Sequence, residues 1–455
     1  MTPAAGSPTT VLHVPYTFFP DACGGTEVYV RALARRLGGR GYPSAVAAPA
    51  AQAAVYEHEG LSVHRFAVDP RPGFEAAYGA PDLIAANGFR AIVAAVRPAI
   101  VHLHARTAAV SGALVDVAHA AGAKVVFTYH TPTVSCARGT MMWSGTTPCD
   151  GVMARVRCST CVLQSHGIPP LLGTVMARLP DRLTNALPAL RGPARRLAAF
   201  KLPGLIATGH DRVRQLLDRA DHVVAVCQWV FDVIERNGVS RDKITLSRQG
   251  LADNSTLPRS DQTPRQHHGV RIAYFGRLDR VKGLDLLVEA LQRLARAPLS
   301  LDIYAVRQPG TERAADALAA QAAADPRIAI RAPVAADAVT ATMADYDVIA
   351  IPSRWLETGP LVALEAFAAG VPVIGSDLGG IREIVRDGVD GLLVSADQPA
   401  AWAATLDRLA REPALLATLR DNILPPRTMH DCAADMAMLY DGLLAPADRT
   451  IGAHS

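Results

Sequence analysis

The chain has 455 residues, half of them hydrophobic and 19% charged, with a formal net charge of +4. Such a length exceeds one ordinary core and predicts two or three domains, while the apolar content excludes a disordered chain. Only four of the 46 basic residues are lysines (Lys124, Lys201, Lys243 and Lys282) and the arginines are dispersed, which argues against a nucleic-acid-binding stripe and leaves a mild basicity suited to an anionic substrate or a membrane surface.

Met1–Thr10 has no basic region ahead of an apolar one, so no signal peptide is expected, and no run reaches the roughly 18–20 apolar residues of a membrane span. The expectation is a cytoplasmic protein, free or attached peripherally at the inner face of the membrane. In that compartment the seven cysteines read as thiols or metal ligands before disulfides.

Along the chain, Val11–Val14 predicts a buried strand, Gly24-Gly25-Thr26-Glu27 a turn, and Glu27–Leu37 an amphipathic helix. A second helix is expected over Asp82–Val96. Ile100–His104, Lys124–His130, His222–Cys227 and Ile244–Gln249 read as further buried strands. From Thr131 to about Ala220 the rhythm breaks into a cysteine-bearing loop and short proline-interrupted helices. Within it, Ile168–Ile206 suits packing against the sheet, an acceptor groove or a membrane surface. A polar stretch from Leu251 to Gly269 marks a domain boundary. Alternation then resumes with strands Val270–Phe275, Leu301–Val306, Ile328–Arg331, Asp347–Pro352, Val371–Ser376 and Gly391–Val394, and helices after Gly283, over Leu361–Ala369, near Ala400–Leu419 and near Asp431–Leu443. Strands alternating with helices predict the α/β class, here two Rossmann-like units facing across a cleft. The expected limits are 1–255, with a cysteine-rich insertion at about 131–170, then 265–425, then a final helix at 426–445.

The most informative stretch is Pro352–Asp377, PSRWLETGPLVALEAFAAGVPVIGSD. A strand ends, a loop carries Glu357, and Gly359-Pro360 opens a helix with proline at its first position, where no amide partner is needed. The amides of Gly359, Leu361 and Val362 then face the carboxyl edge of the sheet, where helix N-termini bind phosphate. Glu357, before the helix, suits a sugar ring; Glu365, inside it, suits a ribose diol. In Tyr274–Gly283, Arg277 and Lys282 flank a loop and can converge on a diphosphate, one by bidentate contacts and the other as a point charge. Gly24-Gly25 permits close backbone approach to a ligand, and His130, at a strand's carboxyl end, could hydrogen-bond a sugar hydroxyl or stabilise developing charge.

In order and spacing, Gly24-Gly25-x-Glu27, His130, Arg277…Lys282-Gly283 and Glu357-x7-Glu365 resemble the retaining enzymes of glycosyltransferase family 4. The resemblance implies the GT-B fold, with the donor held by the C-terminal domain, the acceptor by the N-terminal one, and the last helix crossing back. It implies that a nucleoside-diphosphate sugar donates a hexose, that Arg277 and Lys282 hold its diphosphate, that Glu365 holds the ribose, and that Glu357 and His130 flank the hexose. The acceptor would be a saccharide, a lipid-linked glycan or a small metabolite, and no catalytic metal is implied. Thr358-Gly359-Pro360 departs from the aromatic-glycine pair frequent in the family. A sugar-nucleotide epimerase and a catalytically degenerate binding subunit are the competing readings; absence of GxGxxG after any strand disfavours a nicotinamide dehydrogenase.

Cys136, Cys149, Cys158 and Cys161 fall between His130 and His166. The Cys158-x2-Cys161 knuckle, completed by the other two, has the ligand types of a structural zinc site; an Fe–S cluster and free or disulfide-forming thiols are the alternatives. Many bacterial members of the resembled family look similar here.

Overall fold

The computed structural model describes residues 9–21, 24–182, 199–251, 269–306 and 312–446. The first sheet contains β1 (Val11–Val14), β2 (Ser44–Ala50), β3 (Ala54–His58), β4 (Leu61–Ala67), β5 (Ile100–Leu103) and β6 (Lys124–Tyr129). A separate hairpin follows, β7 (Met142–Trp143) and β8 (Thr147–Pro148), before β9 (His222–Ala225) and β10 (Ile244–Leu246) complete the sheet. The order across it is β10-β9-β6-β5-β1-β2-β4-β3, parallel throughout except for the edge strand β3. β1 and β5 are buried at every position, as central parallel strands covered by helices on both faces must be.

The second sheet consists of β11 (Val270–Arg277), β12 (Leu299–Val306), β13 (Ile328–Arg331), β14 (Val348–Ile351), β15 (Val373–Ser376) and β16 (Gly391–Val394). All its pairings are parallel, in the order β13-β12-β11-β14-β15-β16. In each sheet the winding direction reverses once, between β1 and β5 and between β11 and β14. Such reversals open a crevice at the carboxyl ends of the strands, and the candidate residues sit there.

The chain passes from the second unit back to the first near its end. Leu251 N–H donates to Arg427 O and Met429 N–H to Leu251 O, both at 2.8 Å, so the outgoing and returning segments are clamped side by side. The helix Met429–Leu444 then buries Met429, Cys432, Met436 and Tyr440 against Tyr29, Val30 and Leu33 of the helix Gly25–Gly38. Tyr440 also reaches the first sheet, its hydroxyl 2.6 Å from His102 Nδ1. Among the described residues no helix is long and apolar enough to cross a membrane.

Several elements differ from the sequence expectation. The three strands β2 to β4 were not anticipated: β2, SAVAAPA, is alanine-rich with a proline and carries no period-two pattern, and burial among parallel neighbours decides its state. The expected helix over Ala400–Leu419 is two helices, Pro399–Arg411 and Pro413–Asp421, because Pro413 cannot continue the first. Strand ends fall short of the readings at His104, His130, Cys227 and Gln249, so His130 lies just beyond β6. Pro360 caps the helix Leu361–Ala368 instead of occupying its first position. Most of the polar stretch between Leu251 and Gly269, the middle of Ile168–Ile206 and Cys23 lie outside the described residues.

Candidate active site

The segment after β11 is built around one glycine. Asp279 accepts from the Val281 amide at 3.2 Å, which shapes the turn Arg280–Lys282, and Gly283 then adopts φ +69°. A Cβ on Gly283 would stand 1.9 Å from the carbonyl oxygen of Pro352, so this turn presses directly on the end of β14. Only glycine combines that left-handed conformation with such an approach. The contact carries Lys282 over the loop that follows β14, where its Nζ donates to Glu357 Oε1 at 2.6 Å.

Glu357 also accepts from Ser353 Oγ at 2.7 Å and is buried. Burial opposes its charge, but Lys282 and Ser353 outweigh it and hold the carboxyl below its usual range. A carboxylate thus stays ionised in the crevice, anchored to the cation expected at the diphosphate. The pairing joins two residues that the sequence reading assigned to different parts of one ligand. Arg277 is placed otherwise: its side chain is 43% exposed, with Asp279 at 3.8 Å as its recorded ion pair.

The Leu361–Ala368 helix starts beside this loop. Its Ala363 amide bonds to Pro360 O, whereas the Leu361 and Val362 amides have no acceptor within the helix. A Cβ on Gly25 would lie 3.5 Å from Leu361 Cδ1, so the Gly24-Gly25 turn of the first unit faces this helix start across the crevice. Glu27 holds that turn, its Oε2 accepting from the Gly24 amide at 2.9 Å. Glu365 is half-buried, and burial alone lifts its carboxyl to about 7.

His130 completes the first unit's contribution. Its main-chain oxygen accepts from Thr358 Oγ1 at 2.6 Å, and its Nε2 is 3.1 Å from His104 Nδ1. His104 Nε2 is in turn 3.0 Å from His13 Nδ1. Burial draws His13 and His130 down to about 3 and depresses His102 and His104 as well, so this is a column of neutral rings. Hydrogen bonding, not imidazolium charge, is therefore what His130 can offer. Its Nδ1 is buried without a protein partner. His13, His102 and His104 place ligand atoms within 4.8 Å of one another, but both nitrogens of His102 are engaged, by Tyr440 and by Thr128. The trio is consistent with a hydrogen-bonded core.

The loop Leu356–Thr358 is gripped from both sides. Trp229 Nε1 donates to Glu357 O at 2.8 Å, Leu356 N–H to Thr140 O at 3.1 Å, and Glu383 receives the Gln228 and Trp229 amides at 2.7 and 2.9 Å. The two units are thus drawn together around the candidate site. Sequence reasoning missed Ser353, Trp229, His104 and His13; only His102-x-His104 at a strand end carried a visible signal. A cavity of about 220 Å³ beside this loop is lined by Thr358 and by Gly359, one of the expected phosphate-binding residues, but not by Arg277, Lys282, Glu365 or Gly24, so the structure places Gly359 against a different cavity from the other expected donor residues.

Residues 23–251 match Glycosyltransferase Family 4, and residues 269–412 match Glycosyl transferases group 1. The D-inositol 3-phosphate glycosyltransferase of Nocardia farcinica is 31% identical over 209 residues, 43% of this chain and 46% of that protein. Its namesake from Xylanimonas cellulosilytica is 32% identical over 223 residues, 46% and 53% of the respective lengths. The chain spans about half the length of the curated relatives it matches. Among solved structures, sucrose-phosphate synthase from Thermosynechococcus elongatus is 20% identical with a TM-score of 0.64, covering 96% of this chain and 99% of that one. HepE from Anabaena in complex with UDP is 16% identical with a TM-score of 0.60, covering 96% and 98%. These likenesses show the GT-B fold.

Proposed function

The chain belongs to glycosyltransferase family 4, and on that premise we propose that it transfers a hexose from a nucleoside-diphosphate sugar to a hydroxyl acceptor with retention of anomeric configuration. The observation that carries this reading is the Lys282–Glu357 pair at the reversal between β11 and β14, opposite the Gly24-Gly25 turn. Arg277, Lys282 and the Leu361 and Val362 amides supply positive potential where a diphosphate departs. Glu365 receives the ribose hydroxyls, and Glu357 and the Nδ1 of His130 address the hexose. In the reaction the bond from the anomeric carbon to the diphosphate oxygen breaks, a bond to the acceptor oxygen forms, and the acceptor's hydroxyl proton leaves with the diphosphate.

UDP-sugars are the first donors to test, because HepE was solved with UDP and with UDP-glucose; GDP-sugars are the second. The acceptor side is supported by a cavity of about 320 Å³ in the first unit, lined by Arg106, Arg138, His210, Thr133 and Ser135 and by no carboxylate, which suits an acceptor bearing negative charge. Peripheral membrane contact is supported by Leu171, Leu172 and Val175, exposed with Arg178 on the helix Pro170–Arg178; failure to float with anionic vesicles would remove it. The activity itself is tested by acceptor-dependent release of nucleoside diphosphate, with the product anomer read by NMR. Release without any acceptor product, or an inverted anomer, contradicts the proposal.

A further inference from the structure

Beside the cleft, four thiols converge on one place. Cys136 follows the turn Pro132–Val134, Cys149 follows β8, and Cys158 and Cys161 lie on one face of the helix Arg155–Ser165, one turn apart. All four line a single cavity of about 30 Å³, above the roughly 10–15 Å³ that one water-sized occupant needs. None is in a disulfide. Their contacts are long: Cys158 Sγ to Val152 O and Cys161 Sγ to Met142 O, both 3.8 Å, and Cys149 Sγ to Asp150 Oδ1, 3.9 Å.

The chain between them is bent hard. Gly139, Met141, Ser144, Gly145 and Gly151 all take positive φ, and for Met141 and Ser144 that conformation costs about 1–2 kcal/mol each. A cross-link would offset this expense. The cavity lining has four cysteines and no histidine or carboxylate, a set that selects zinc or an iron–sulfur centre, and the small volume favours a single ion. Four thiolates around a divalent cation leave a net negative charge. Arg157, 3.7 Å from Cys149 Sγ, and Arg138, on the same cavity wall, are placed to balance it, and the Ser144 amide donates to Cys161 Sγ at 3.3 Å.

We propose that Cys136, Cys149, Cys158 and Cys161 bind one zinc ion, and that this ion holds the intervening loop in the shape that docks on the candidate donor loop. The docking is direct: Thr140 O receives the Leu356 amide, and Met141 and Met142 pack with Val233, Leu356 and Leu378. Leu356 immediately precedes Glu357. Binding exchanges four thiol protons for the cation. Among the described residues the one set of three or more ligand atoms within 4.8 Å of one another is that of the histidine trio, so no three of these sulfurs stand that close in this structure, and binding one ion requires them to draw together.

The test is elemental analysis of wild type and of a Cys158→Ser/Cys161→Ser variant, both purified under reducing conditions. One zinc per chain in wild type and its loss in the variant is the expected result. If the variant does not fold, wild type is titrated with a mercurial: zinc should leave in step with modification of these four thiols, mapped by mass spectrometry. Wild type without zinc, iron with sulfide in its place, or zinc that stays while these thiols react would overturn the proposal. The readout needs no sugar nucleotide, so the metal result stands or falls separately from the glycosyltransferase reading.

Discussion

The hydroxyl of Thr358 donates a 2.6 Å hydrogen bond to the main-chain oxygen of His130. It is buried and joins the donor-side loop of one unit to the strand end of the other. Where members of the family frequently carry an aromatic-glycine pair, this chain spends the position on an inter-unit tie. Thr358→Val keeps the shape but leaves a buried carbonyl unsatisfied, at a cost of about 1–3 kcal/mol. The expected outcome is a lower Tm and a raised donor KM, with Thr358→Ser restoring most of both. An unchanged KM in the valine variant would show that the tie does not organise the site.

The Lys282–Glu357 pair yields a second prediction. Lys282→Met leaves Glu357 buried without its countercharge, and breaking such a pair costs about 3–5 kcal/mol when both groups are fully buried; with Lys282 side-chain exposure of 21%, about 3 kcal/mol is expected. Adding Glu357→Gln should recover part of this, which a double-mutant cycle in urea reads as coupling. Because the Glu357 carboxyl is lowered in the folded state, its contribution is present above the unfolded value and fades as pH falls through the folded one.

Gly283 and Gly388 make a matched comparison. Both take positive φ, +69° and +71°, but a Cβ at Gly388 meets nothing within 4 Å while one at Gly283 meets Pro352 O at 1.9 Å. Gly388→Ala should cost only the left-handed penalty of about 1–2 kcal/mol. Gly283→Ala should cost clearly more and also weaken nucleotide binding, since the turn bearing Lys282 must shift. Thermal melts and nucleotide titration of the two variants check this; equal losses would contradict the close approach.

Two sets of groups set opposite pH trends. His13, His102, His104 and His130 have folded values lowered by burial, so the unfolded chain binds their protons first. Stability is full above about 6.5 and falls as pH drops below it, by up to about 1.4 kcal/mol per unit for each ring. Glu365 is raised from 4.5 to about 7, so its share of stability is full below 4.5 and is lost as pH rises through about 7. Glu365→Gln should abolish that second trend, and in wild type donor binding should strengthen as pH rises through about 7, because the carboxylate is the better acceptor for ribose hydroxyls. Denaturant melts and nucleotide titrations across pH read both.

Much of this was legible in the sequence. Buried strands such as Val348–Ile351 are continuous apolar runs, and Gly359-Pro360 marked a helix start, so two α/β units and their carboxyl-edge loops could be placed. Most of the candidate residues lay on or beside those loops, with Glu365 inside the helix Leu361–Ala368. Strand β2 was hidden because alanine and proline carry no strand signal, whereas the break at Pro413 was marked by the proline itself, which the reading of one helix near Ala400–Leu419 passes over. The Lys282–Glu357 and Thr358–His130 contacts were not legible, since they join segments 75 and 228 positions apart whose meeting depends on packing. His13 looked like an ordinary strand residue, and His102-x-His104 was visible only as a pair at a strand end, until the sheet order stacked them behind His130.

The central claim is that the crevice at β11 and β14 holds a nucleoside diphosphate. Arg277 is the residue to change, because its exposed side chain lets Arg277→Ala keep the fold. We would titrate UDP and GDP, and their glucose and mannose conjugates, into wild type and this variant by calorimetry. The account predicts that one nucleotide class binds wild type, and that the variant, with unchanged Tm, binds it about 10–100-fold more weakly, the loss of a charge-assisted contact of about 1.5–3 kcal/mol. Equal affinity in wild type and variant, or no binding by either nucleotide class, would contradict it.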